Sequence, residues 1–153
     1  MQIHKRWKRP DWLPAVLLIF IQFASGMRDM PQTAFFLIYL QEQMNLDPVT
    51  ISSIVAGAQI AGMLTAILGG AITSRLGSKW VMLCGLTLLG LCSLSFQVRI
   101  FWLVALLWFI GGAGLALITI GGASYLTRIS KQGSLGILSA FFVLSITIGG
   151  SIG

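Results

Sequence analysis

Residues 51–73 read ISSIVAGAQIAGMLTAILGGAIT, 23 positions without one charge. A stretch of about 20 apolar residues is long enough, as a helix, to cross the hydrocarbon core of a bilayer. Alternation of apolar and polar residues is absent, and an open strand would leave unpaired backbone groups in lipid at several kcal/mol each. The segment therefore predicts a transmembrane helix. Working outward, the same reading recurs on both sides, giving helices over 12–40, 51–73, 80–96, 100–126 and 135–153. Their connections are short, at 41–50, 74–79, 97–99 and 127–134.

Composition agrees with the pattern. The 153 residues are 56% hydrophobic and 9% charged, with a mean hydropathy of +0.91. A soluble domain carries about a quarter charged residues, and a disordered chain is poorer still in apolar ones. Both classes are excluded, and no length remains for a separate catalytic domain. The expected fold class is an all-α membrane protein of five transmembrane helices, preceded by a basic segment, 1–11. The net charge of +6 does not signal nucleic acid, because the basic residues lie between apolar runs. With the N-terminus inside, the inner segments hold Lys5, Arg6, Lys8, Arg9, Arg75, Lys79, Arg128 and Lys131, against Arg99 outside. That asymmetry predicts a cytoplasmic N-terminus in a plasma (bacterial inner) membrane. Trp7, Trp12, Trp80 and Trp102 fall at interfacial depths. A cleaved signal peptide ending near 24–26 is the competing reading of the N-terminus, and the apolar run continues well past that point.

Helix 12–40 is not apolar all round. At about 100° per residue, Gln22, Ser25, Arg28, Asp29 and Gln32 share one arc, and Phe20, Phe23, Met27, Met30 and Ala34 cover the other side. Buried hydrogen bonds that only hold helices together would explain Gln22, Ser25 and Gln32 equally well. Arg28 and Asp29 ask for more, since a charge at mid-membrane costs at least about 2.5–3.5 kcal/mol. Sequence neighbours on a helix point apart, so each needs a partner from another helix or water. An outer-loop position, with the helix ending near Gly26, is the alternative. Otherwise Gln22, Arg28, Asp29 and Gln32 are expected to mark a substrate or ion path, with Pro31 bending the helix beside it. Glycines crowd helices 2 and 4, where small residues allow close approach of backbones. Gly111-Gly112-Ala113-Gly114 follows no strand and is not a phosphate loop. His4 is the only histidine, and no paired carboxylates or metal-ligand spacing occur. Cys84 and Cys92, about 12 Å apart along one helix, are too far apart to bridge. Enzyme chemistry, metals and cofactors are therefore not expected.

The segment Gly70-Ala71-Ile72-Thr73-Ser74-Arg75-Leu76-Gly77-Ser78-Lys79 resembles the loop signature G-x-L-A-D-R-x-G-R-K of the major facilitator superfamily. Gly70, Arg75, Gly77 and Lys79 match, and Ser74 takes the acidic position. The resemblance implies that this cytoplasmic loop between helices 2 and 3 acts as a latch against the other half of the protein, weakened here by the missing charge. Gly112 and Gly114 fit the family's helix 4 motif, with Trp108 in place of its arginine. Gly149-Gly150-Ser151-Ile152-Gly153 is similar to the opening of the G-P-x-x-G-G element of exporting antiporters, with Gly150 in place of proline. The resemblance implies the N-terminal part of a twelve-helix secondary transporter: five helices of a six-helix half, truncated in helix 5. It implies alternating access for a small molecule, with proton-coupled efflux of cationic or amphipathic compounds. The partners implied are the lipid bilayer, a small-molecule substrate, protons and the missing C-terminal half. A five-helix module that assembles with a partner and does not transport alone is the other expectation.

Overall fold

A computed structural model of the chain describes residues 12–129 and 135–152, and the basic segment 1–11, Lys131 and Gly153 lie outside the described residues. The described chain is five helices, α1 Trp12–Met44, α2 Pro48–Leu76, α3 Ser78–Cys92, α4 Phe101–Ile129 and α5 Leu135–Ile152, with a 3-10 turn Ser93–Gln97 closing α3. All five are long and apolar enough to cross a membrane, α3 with its 3-10 turn included.

The helices run further than hydropathy draws them, because polar residues near the ends still make helical hydrogen bonds. α1 continues through Pro31 as one element to Met44. It stops at Asn45, whose φ of 50° is left-handed, and the Leu46 N–H closes back on the Leu40 carbonyl at 3.3 Å. Asp47 then starts α2: its carboxylate accepts from the Thr50 N–H at 3.2 Å and the Thr50 hydroxyl at 2.6 Å. Pro48 sits in the first turn, where its missing N–H costs nothing. The six-residue loop expected at 74–79 shrinks to Gly77 alone. Its φ of 84° ends α2 and begins α3, a conformation that a side chain disfavours.

Packing divides the bundle. α4 lies between α2 and α3 in close contact with both, and α5 packs on α1; contact between the two groups is thinner. Glycine makes each close interface. In the α1–α5 pair Gly26 faces the Ile146 carbonyl and Gly149 faces the Phe23 carbonyl. Gly62 and Gly112 meet between α2 and α4, and Gly85 and Gly114 meet between α3 and α4. Without lipid-excluded water to drive them together, helices gain from such contact mainly through dispersion. Gly70, in contrast, faces open space, so the close approach its motif suggests is not made there. Two apolar clusters hold the ends. Phe36, Leu40, Ile54, Val104 and Trp108 belong to one, and Leu18, Leu126 and Phe142 form the other.

Candidate functional site

The described residues of the polar arc, Gln22, Ser25, Arg28 and Gln32, are buried or half-buried. Gln22 is 2% exposed, whereas Phe20 on the far side is 65% exposed. Phe36 and Leu40, both fully buried, continue the same arc toward the C-terminal end. Ser25 returns its hydroxyl to the Ile21 carbonyl at 2.9 Å, so it serves its own helix. Arg28 stands at the middle of a 33-residue helix, not on a loop. Its guanidinium donates to the Leu89 carbonyl at 2.8 Å and to the Ser93 hydroxyl at 2.5 Å, both on the α3 side. One turn on, the Gln32 amide donates to the Cys92 sulfur at 3.8 Å. Tyr39 donates its hydroxyl to the Val98 carbonyl at 3.1 Å. Asp29 belongs to α1 by its backbone, and its side chain lies outside the described residues.

A cavity of about 360 Å³ opens beside this face. Gln32 and Thr33 line it from α1, Gln59 and Gly62 from α2, and Trp108, Gly112 and Thr119 from α4. Gly62 is the midpoint of α2 and Gly112 lies within a turn of the midpoint of α4, so the cavity sits at mid-span. Arg28 and Gln22 are not among its lining residues. None of the lining residues carries a formal charge, and the polar side-chain atoms come from amides, hydroxyls, a thiol and one indole. Trp108 stacks on Phe36, with ring centroids 3.8 Å apart and 22° between planes. Its indole N–H is buried without a hydrogen-bond partner among the described residues.

Of the expected path residues whose side chains are described, Gln22, Arg28 and Gln32, only Gln32 reaches the cavity. Gln59, an uncharged amide in a charge-free segment, lines it as well; a lone amide in 23 positions without charge is the sequence signal for it. At the other end of α2, Ser74, Arg75 and Lys79 are exposed, and Ser74 donates to the Ala71 carbonyl at 2.8 Å within its own turn. Arg75 and Lys79 form no ion pair among the described residues, which leaves their charges available to an anionic surface. Gly149 serves the α1 contact, and Gly150 lines a second cleft between α1 and α5 with Ser25 and Gly26. No group of three potential metal ligands occurs among the described residues.

The family profile described as Major Facilitator Superfamily matches residues 17–153. No curated protein and no solved structure matches the chain. The profile spans all five helices, and the chain belongs to the major facilitator superfamily.

Proposed function

With membership of that superfamily as the premise, we propose that the chain supplies the N-terminal helices of a secondary transporter. It moves a small molecule through the mid-span cavity by alternating access, with the N-terminus in the cytoplasm of a bacterial inner membrane. The cavity at the midpoints of α2 and α4 carries the reading, because transporters of this kind bind near the bilayer midplane between two helical repeats. A second set of helices, absent from these 153 residues, completes the site in the proposal. Members of the family are transporters, and transport is the activity assigned here.

The coupling step rests on Asp29, the one acidic residue in the interior of a span. It takes a proton from one side and releases it to the other while substrate moves in the opposite direction, and Arg28 next to it in sequence responds electrostatically. The test uses everted vesicles carrying the protein expressed from its natural reading frame, energised with a pH gradient. Ethidium serves as an amphipathic cation and chloramphenicol as a neutral probe. Gradient-driven accumulation of either is expected in the native protein, and Asp29→Asn should abolish it while leaving exchange down a concentration gradient. Accumulation that survives Asp29→Asn unchanged sinks the proton role, and no movement of either probe in the native protein counts against efflux of such compounds.

A further inference from the structure

The bundle is two closely packed units, α1 with α5 and α2–α4 together, and the cavity lies where they meet. The backbones of α1 and α3 barely approach each other. Polar side chains of one arc of α1 reach across to α3 and the segment after it: Arg28, Gln32 and Tyr39 at i, i+4 and i+11.

We propose that Arg28 is a positioning residue: its guanidinium straps the α1–α5 pair to the broken end of α3 and thereby sets the width of the cavity. The break itself is the evidence. In a regular α-helix the Ser93 N–H would donate to the Leu89 carbonyl, four residues back. Here that N–H turns to the Gly90 and Leu91 carbonyls as α3 tightens into its 3-10 turn. The Leu89 carbonyl, at this change of helix type, accepts from Arg28. A freed carbonyl inside a membrane must find a donor, and a guanidinium there must find acceptors. The Ser93 hydroxyl gives the second acceptor, on the first residue of the turn. Gln32 ties this strap to the cavity, since it bonds Cys92 and also lines the wall. Arg28, committed to α3, is absent from that lining and is not the substrate's counter-ion. Both bonds leave one terminal guanidinium nitrogen. Lysine keeps the charge on a shorter stem with a more strongly hydrated head, so it can hold only part of the arrangement.

The test is hydrogen exchange measured by mass spectrometry on the protein in lipid nanodiscs. It reads no transport, so its failure and that of the transport reading are separable. In Arg28→Met the peptide covering 89–98 should exchange about tenfold faster, equivalent to about 1.4 kcal/mol of lost protection. Residues 104–118 of α4 should be unchanged. Arg28→Lys should fall between, and Ser93→Ala should give a smaller rise in the same peptide. Native exchange at 89–98 in Arg28→Met overturns the proposal. A rise shared equally by 104–118 in Arg28→Met and Ser93→Ala overturns it as well, because that is loss of the fold. Where Arg28→Met does not fold, native behaviour of both Arg28→Lys and Ser93→Ala is the refuting result.

Discussion

Replacing Gly112 with alanine tests whether the α2–α4 interface depends on backbone contact. A Cβ at position 112 would lie 2.0 Å from the Ala58 carbonyl oxygen, 2.7 Å from its carbon and 3.1 Å from the Ala58 Cα. All three are backbone atoms of α2, so no side chain can rotate away. Restoring an ordinary 3.4 Å contact requires the helices to separate by about 1.4 Å, which forfeits much of the dispersion along the seam. Overpacking of this kind costs about 1–3 kcal/mol, and a backbone clash belongs near the top of that range. The gain in helix propensity from glycine to alanine is at most about 1 kcal/mol, leaving a net loss of about 2 kcal/mol. Gly57→Ala isolates the propensity term, because nothing lies within 4 Å of a Cβ there. Unfolding by graded sodium dodecyl sulfate in bicelles, followed by circular dichroism, should therefore separate the two variants by about 3 kcal/mol. Equal stability of Gly112→Ala and Gly57→Ala would refute the reasoning.

Two further outcomes follow from local chemistry. Trp108→Phe removes an indole N–H that is buried without a partner among the described residues and keeps the ring stacked on Phe36. Losing an unsatisfied donor recovers about 1–3 kcal/mol and offsets the smaller ring, so unfolding in bicelles should stay within about 1 kcal/mol of native; a loss above about 3 kcal/mol would mean that the indole is bonded. Asp47 is held below its ordinary value of 3.8, first by the Thr50 hydroxyl and then by the Thr50 N–H. A lowered folded-state value means that its capping contribution is complete above pH 3.8 and disappears as pH falls below it. Amide exchange in the first turn of α2 should rise on acidification through that window, and Asp47→Asn should remove the pH dependence.

What the sequence discloses about this protein is set by how strictly lipid constrains a chain. Spans such as 51–73 are legible because a segment that long and apolar has only the helix open to it. The buried face of α1 is legible for the same reason, since Gln22 and Arg28 must avoid lipid wherever their partners lie. The partners themselves are not legible. Glycine at 149 announces a close approach, but only the fold shows that Phe23 is what approaches. The 3-10 turn Ser93–Gln97 leaves no trace in hydropathy, because tightening a helix changes which carbonyl is bonded and not which residues are apolar. Gln59 is only faintly legible for a further reason: one amide does not break a hydrophobic window, and its meaning comes from the cavity that Gln32 and Thr119 share with it.

Arg28 shows why a mid-membrane charge is weaker evidence about chemistry than about packing. Depth alone requires a partner, and the sequence invites the search for an acidic one. Among the described side chains and backbone, its partners are the main-chain carbonyl of Leu89, at a change of helix type, and a serine hydroxyl beside it. This bears directly on the test of Asp29. Were Asp29 the sole acceptor for Arg28, Asp29→Asn would strip a buried cation of its compensation, and lost transport could be lost folding. Leu89 and Ser93 accept from Arg28 without any part of position 29, so the asparagine variant is expected to keep those two bonds. A transport defect in a variant whose 89–98 peptide exchanges as in the native protein would then report on the proton and not on the strap.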